Sequence, residues 1–214
     1  MRANCIPIGL VAVLGAGTKT ARLATTRRVN VDAWKKFAAD LDTAGFWGRT
    51  SDAERQRLRD EVAVGASPFE GMEAVGWLVD GEDLAEGEVE SLLQEFAPAL
   101  ADRGVHLAVE TVEGPWDDGS SGYKIRINGI EVDLYRFEPN EPNVPLSDDP
   151  WTDCTLKPLA VINALLAEGG VDERIVVISP GGNDGRAFLL PLEAVAVLSE
   201  SPVIRPEDRP VVPA

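Results

Sequence analysis

Apolar residues recur at every third or fourth position in five stretches of this chain, the spacing of one buried helix face. The pattern predicts helices over residues 30–44, 52–63, 86–97, 157–168 and 191–199. Asn30 and Ser51 stand at the start of the first two, where their side chains can accept hydrogen bonds from free backbone amides. Pro98 lacks an amide hydrogen, and we expect the third helix to kink or stop there.

Other stretches alternate apolar and polar residues, or are short and continuously apolar, as β-strands are. They predict strands over residues 75–79, 105–113, 123–127, 130–137, 174–179 and 186–190. Asn128-Gly129 predicts the two-residue turn of a β-hairpin, because both residues accept positive φ. Its buried face is expected to hold Tyr123, Ile125, Ile127, Ile130, Val132 and Leu134. Residues 138–155 are rich in Pro and Asp, and we expect a loop there.

The order of these elements favours an α+β fold. We expect an antiparallel or mixed sheet of about five strands with helices packed on it, plus an N-terminal helical segment. The length of 214 residues and the 44% hydrophobic content suit a single domain over residues 29–201, in which residues 29–64 form a helical subregion. Residues 202–214 are expected to be an extended, proline-rich tail.

Residues 1–28 differ in character from the rest of the chain. They hold five basic residues and no Asp or Glu, and they include an apolar run over residues 6–16. The run follows Arg2 and resembles the core of a signal peptide, but no clear small-residue cleavage site follows it. The alternatives are a poorly ordered extension and an upstream start codon wrongly chosen. We expect a cytoplasmic protein, with export through residues 1–28 as the alternative.

Charge narrows the range of partners. The net charge is −16, and the chain after residue 28 carries 15 basic and 36 acidic residues, a balance of −21. Such a surface repels nucleic-acid phosphates and anionic lipids, so we expect no nucleic-acid or membrane partner. No apolar run reaches the roughly 18 residues of a membrane span. A basic protein partner is electrostatically favoured, and simple solubility is the other explanation of the charge.

Few residues are available for metal or cofactor chemistry. His106 is the one histidine in the sequence, and Cys5 and Cys154 are its two cysteines. We therefore expect no metal site, no disulfide framework and a reducing compartment. The stretch Gly15-Ala-Gly17-Thr-Lys-Thr20 resembles a dinucleotide-binding fingerprint, but Thr20 stands where close packing needs Gly or Ala. No second strand ending in Asp or Glu is predicted after it, so we expect no cofactor.

Tryptophan and acidic residues occur together in two predicted loops. These candidate binding residues are Trp116, Asp117 and Asp118 in one loop, and Asp148, Asp149, Trp151 and Asp153 in the other. An indole beside carboxylates suits a Lys or Arg side chain, and it also suits a sugar. The alternative is that each indole folds back on the core. Asn183 and Asp184 join the candidates, either as turn residues or beside an anion held by neighbouring glycine amides.

These observations favour a non-catalytic, acidic binding module that engages a basic protein, as an inhibitor or immunity protein does. Small acidic α+β proteins of bacteria that neutralise toxins are similar in composition, and the excess of Arg (15) over Lys (5) fits a GC-rich bacterial genome. Two alternatives stay open. A hydrolase would use paired carboxylates among Asp117, Asp118 and Asp149, and a carbohydrate-binding protein would stack sugars on Trp116 and Trp151.

Overall fold

The structure is a computed structural model that describes residues 30–72, 75–138 and 141–214, with the backbone alone for residues 141–143. The leader of residues 1–28, including its apolar run and the glycines at positions 15 and 17, lies outside the described residues. The predictions of a signal peptide, an extension and no bound dinucleotide therefore stay predictions.

Two helices open the described chain: α1 (Val31–Thr43) and α2 (Asp52–Ala63). Both begin where the sequence predicted, because the side chains of Asn30 and Ser51 accept from amides three residues on, at 3.2 and 3.3 Å. Asp42, near the end of α1, accepts a hydrogen bond from Arg55 of α2 at 2.5 Å. This ion pair joins the two helices of the predicted N-terminal helical segment.

The described strands form two antiparallel sheets. Sheet A consists of β1 (Trp77–Leu78), β6 (Glu173–Ile178) and β7 (Arg186–Pro191), with β7 in the centre. Sheet B runs in chain order through β2 (Val109–Glu113), β3 (Gly122–Ile127), β4 (Ile130–Glu138) and β5 (Glu141–Pro145). The α+β class is confirmed, and the strands are divided between two sheets. The strand β5 occupies part of the predicted loop 138–155, where Pro145 is tolerated because β5 is an edge strand.

Residues 81–101 form one kinked helical run: α3 (Gly81–Asp83), a π-helical turn (Leu84–Glu88) and α4 (Val89–Ala101). The kink lies at Gly87, whose φ of 125° is outside the helical region. Pro98 was expected to kink or stop the helix, but it lies inside α4, which continues to Ala101. Phe96 and Leu100 are buried on either side of the proline, and their burial offsets the hydrogen bond that the proline lacks.

The remaining helices are α5 (Pro150–Glu168), α6 (Leu192–Glu200) and a 3₁₀ turn (Pro206–Asp208). Helix α5 starts at Pro150 instead of residue 157, so the last third of the predicted loop 138–155 is helical. Its start is set by Asp149, which accepts from the amide of Thr152 at 3.0 Å, and by Pro150, whose missing amide hydrogen costs nothing in the first turn.

The elements stack in four layers. Helices α1, α2 and α6 cover one face of sheet A, where Val176, Phe188 and Leu190 are buried with them. The other face of sheet A, including Val177 and Leu189, packs on α4 and α5. These two helices lie between sheet A and the inner face of sheet B. The central sheet is covered on both faces, as the continuous apolar run of β6 predicted.

The hairpin predicted at Asn128-Gly129 is confirmed. Their φ angles of 48° and 85° are both positive, as this type of turn requires. The predicted inner face holds in β3, but Ile130 next to the turn is 49% exposed. A register shift near Tyr123 then brings Tyr135 into the buried face. The strand predicted over residues 105–113 forms only from Val109 onward.

The outer edge of β6 is closed by a side chain and by the C-terminal residues. Asn163 of α5 accepts from the amide of Ile175 at 2.8 Å and donates to the Ile175 and Pro213 carbonyls at 2.9 Å. Val211 pairs with Val177 as an isolated bridge. A buried amide and a short stretch of tail thus satisfy backbone groups that a neighbouring strand would otherwise bind.

Candidate functional site

The loop between β6 and β7, which contains Asn183 and Asp184, packs against the start of the kinked helical run. The amide of Gly81 donates to the Gly182 carbonyl at 3.0 Å, and Asn183 Nδ2 donates to the Glu82 carboxylate at 3.0 Å. Asn183 therefore serves as a link between two acidic turns. Asp184 has no ion pair with any described residue.

The start of α5 meets the same loop from the other side. The hydroxyl of Thr152 lies 3.4 Å from the Pro180 carbonyl, and a side chain at Gly181 would clash with Thr152. The candidates Asp148, Asp149, Trp151 and Asp153 are thereby brought to the same end of the molecule as Asn183 and Asp184. Trp151 and Asp153 lie in the first turn of α5 and not in a loop, and Trp151 is 37% exposed.

The third candidate loop, between β2 and β3, contacts the kink itself. Trp116 is 68% exposed, and its indole Nε1 donates to the Glu86 carbonyl at 2.9 Å. Leaving two thirds of an indole in water forgoes on the order of 3 kcal/mol of burial free energy. The idea that this indole folds back on the core is therefore wrong for Trp116. Asp117 accepts from the Gly114 amide at 2.7 Å and shapes the turn, whereas Asp118 has no described partner.

Aromatic side chains of sheet B donate hydrogen bonds to the backbone of the kinked turn. The Tyr135 hydroxyl donates to the Ala85 carbonyl at 2.8 Å, and the Tyr123 hydroxyl donates to the Gly87 carbonyl at 2.8 Å. Together with Trp116, they satisfy three consecutive carbonyls that the distorted turn leaves without regular helical partners. Burial raises the pKa of Tyr135 to about 12 and raises that of Tyr123 as well, so both phenols stay protonated donors.

A shallow groove of about 350 Å³ follows one flank of the kinked run and was not predicted from the sequence. It is lined by Leu78, Leu84 and Leu92, by Ser91, and by the carboxylates of Asp80, Asp83, Glu88 and Glu95. Asp80 caps α3 by accepting from two amides, at 3.0 and 3.3 Å. Asp83, Glu88 and Glu95 are exposed and have no hydrogen bond or ion pair to any described residue. Leu78 is its exposed leucine, at 48%, whereas Leu84 and Leu92 are buried in the core behind it, so the groove is defined mainly by uncompensated negative charge.

One sequence feature marks this region in retrospect. Residues 60–102 contain twelve acidic residues and not one Lys or Arg. The stretches 104–123 and 137–156, which hold the other candidate loops, also lack Lys and Arg. Periodicity alone predicts an amphipathic helix over residues 86–97. The absence of Lys and Arg distinguishes its polar face from that of a solvent-exposed helix, which usually carries charges of both signs.

Several described carboxyl groups are stabilised in their charged form. Where the pKa of a described carboxyl group clearly departs from its ordinary value, it is lowered: Glu54, Glu113, Glu131, Asp133 and Asp149. For Asp149, hydrogen bonds from the hydroxyl and amide of Thr152 stabilise the charged form. A general acid needs a raised pKa, and Asp149 shows the opposite shift.

The other candidate reactive groups are His106, which lies outside the candidate loops, and Cys154, which is shielded from solvent. His106 is exposed before β2, where its carbonyl accepts from Asn128. Cys154 is fully buried, and burial raises its pKa to about 12, so its thiol is protonated and shielded. Within the described ranges, no three His, Cys, Asp or Glu side chains are grouped so that they could hold a metal ion.

A larger groove of about 740 Å³ lies between α1 and the C-terminal residues. Trp34, Phe69 and Val203 contribute apolar walls. Its charged residues are Arg205, Glu207 and Asp208, and Arg205 pairs with Asp208 at 2.6 Å and with Glu207 at 3.5 Å. Charge in this groove is compensated from within, and no group in it points to a particular ligand.

Comparison of the chain with protein-family models, curated proteins and solved structures found no match. Among the helices of the described chain, none has both the length and the apolar character needed to cross a bilayer.

Proposed function

We propose that this chain is a non-catalytic, acidic binding module for a basic protein partner, of the inhibitor or immunity type. The observation that carries the proposal is the groove beside the kinked run, where Asp83, Glu88 and Glu95 lie with the exposed Leu78 and no described cation compensates their charge. Three like charges without partners repel one another, and this cost is relieved when a cation binds.

The shape of the groove suits long basic side chains. From Glu88 to Glu95, along α4, the helical rise is about 10 Å, the length of roughly three residues of extended peptide. The methylene stem of a Lys or Arg can lie on Leu78, which is 48% exposed, while its charged end meets the carboxylates. Charge complementarity of this kind mainly sets the rate and specificity of association.

The same charge distribution argues against nucleic acid as the partner. We propose the cytoplasm as the compartment in which the chain acts. Asp148, Asp149, Asp184 and the turn of Trp116 extend the acidic surface around the kinked run, whereas the charge of Asp153 is compensated by Lys157 at 3.1 Å. Residues that already cap helices or close turns, such as Asp117 and Asp149, contribute charge more than direct contacts.

The test compares two variants with the same change in net charge. The groove variant carries Asp83→Asn, Glu88→Gln and Glu95→Gln, and the control variant carries Glu168→Gln, Glu193→Gln and Glu200→Gln. The control residues are also exposed, have no described partner and lie on α5 and α6. The probe is a dodecapeptide of Lys, Arg and Gly with a charge of about +6, titrated calorimetrically at low and physiological salt.

We expect the groove variant to bind the peptide about tenfold more weakly, as three contacts of a few tenths to 1 kcal/mol each imply. The control variant should lose less than about threefold, and wild-type affinity should fall steeply as salt rises. Equal losses in the two variants would show that only bulk charge attracts the peptide, and the proposal would then be wrong.

A further inference from the structure

Trp116 is the most exposed tryptophan of the described chain. It is 68% exposed, whereas Trp77 packs on Phe96 with ring centroids 4.3 Å apart. Tryptophan is the residue type most enriched among the residues that dominate binding energy at protein interfaces. Its exposure here therefore calls for a binding explanation.

The indole is held in one orientation. Its Nε1 donates to the Glu86 carbonyl at 2.9 Å, and Pro115 beside it lies against Gly87. The turn behind it is closed by hydrogen bonds from the Gly114 amide to Asp117 and from Ser121 to Glu113. A partner would thus meet an anchor that is already ordered, which lowers the entropic cost of binding.

The environment of the ring selects its ligand. The one N–H donor of the indole is already used, which leaves the π face available. Asp118 and the Glu86 carboxylate have no hydrogen bond or ion pair to any described residue. A planar guanidinium can stack on the ring while its N–H groups reach such carboxylates, which an ammonium group does less well. The molecule contains one such pair already, since Arg49 lies 5.6 Å from the centre of the Trp77 ring.

We infer that Trp116 is the specificity-determining anchor for an arginine side chain of the basic partner. The inference rests on the proposed function and adds the chemistry by which the partner is chosen. A sugar is the competing ligand, but it would have to find its hydrogen-bond donors elsewhere, and no ring contact joins Trp116 to Trp151 in the described chain to extend the platform.

The experiment titrates the full chain with three probes: a dodecapeptide of alternating Arg and Gly, the same peptide with Lys in place of Arg, and a neutral β-linked glucose hexasaccharide. The variants are Trp116→Ala, Trp116→Phe and the control Val64→Ala. Val64 is an apolar residue at the C-terminal end of α2 and is 71% exposed. Urea unfolding verifies that each variant is folded, and Trp116→Phe supplies the answer should Trp116→Ala not fold.

We expect Trp116→Ala to weaken the Arg peptide about fivefold and the Lys peptide by less than about twofold, as a cation–π contact implies. Trp116→Phe should lie between wild type and Trp116→Ala, and Val64→Ala should bind as wild type does. Equal losses for both peptides, or no loss, overturn the arginine inference but leave the proposed function standing if the groove variant still binds weakly. Hexasaccharide binding that needs Trp116, with peptide binding unchanged, replaces arginine by a sugar. If neither peptide distinguishes wild type from the groove variant, the proposed function fails as well.

Discussion

The outer face of sheet B and the groove beside the kinked run are both rich in carboxylates. Those on the sheet are paired with basic side chains, and those in the groove are not paired with any described residue. On the sheet, Arg126 contacts Glu110 and Glu131, and Asp133 lies 2.5 Å from Arg136 and 3.4 Å from Lys124. In the groove, Asp83, Glu88 and Glu95 have no cation within reach among the described residues.

The difference shows how to distinguish a solvated surface from a surface kept for a ligand. A carboxylate that is paired across strands contributes to the fold and offers little to a partner, because its charge is already compensated. A carboxylate without a counter-ion repels its acidic neighbours, and its charge is available to a cationic partner. The fold places the first kind on a sheet and the second kind along a helix that three loops surround.

We expect the largest effect on stability from removing the hydrogen bonds between sheet B and the kinked run. Tyr123→Phe removes a hydroxyl that donates to the Gly87 carbonyl and accepts from the Val89 amide, at 2.8 and 3.3 Å. Leaving these buried groups without partners should lower the free energy of unfolding by about 1–3 kcal/mol, measured by urea denaturation. Tyr135→Phe, which removes one hydrogen bond, is the matched comparison and should cost less. If both variants are as stable as wild type, the kink does not depend on these phenols.

Charge reversal should change stability in opposite directions in the two regions. Asp133→Lys removes an ion pair with Arg136 and places like charges together, so we expect a loss below about 1 kcal/mol. Glu95→Lys replaces one of the three unpaired carboxylates of the groove by a cation and so relieves their repulsion. We expect a gain of a few tenths of a kcal/mol. Urea denaturation of both variants at low salt measures the difference, and a loss in both would remove the contrast.

The smallest effect is a change in titration on the sheet. The hydrogen bond from Arg126 lowers the pKa of Glu131, and that from Arg136 lowers the pKa of Asp133. Because these values are lowered in the folded state, the stability they contribute is present above the unfolded pKa of about 4 and is lost as pH falls through the folded pKa. Carbon-detected NMR titration measures both.

Arg126→Gln should raise the pKa of Glu131 toward its ordinary value and leave that of Asp133 low. Arg136→Gln should do the reverse. If either change moved both carboxyl groups equally, the face would act as one diffuse charge field and not as separate ion pairs.

Local structure could be predicted where it depends on residues close in sequence. The caps at Asn30 and Ser51 and the turn at Asn128-Gly129 each satisfy backbone groups within three residues, and all three are confirmed. Secondary structure was predicted less accurately where contacts between residues distant in sequence determine it. Pro98 stays helical because the residues around it are buried, and β5 forms because β4 lies beside it.

Among the candidate residues, the sequence indicated that Trp116 and its acidic neighbours lie in a turn, and the structure places them there. It could not indicate that Trp151 and Asp153 begin a helix, because this depends on Asp149 acting as a cap instead of a loop residue. The groove was missed for a related reason. Its leucines and carboxylates belong to β1 and to both sides of a kink, and they share one surface only after Gly87 turns the chain.

By itself, then, the sequence determined the α+β class, most helices and strands, and an excess of negative charge. Only the tertiary structure decided which of those charges are compensated, because an ion pair depends on distance through space and not along the chain. The contacts Gly81–Gly182, Thr152–Pro180 and Trp116–Glu86 bring remote acidic segments together. The same folding carries Arg126 to Glu110 and leaves Asp83, Glu88 and Glu95 without any described cation.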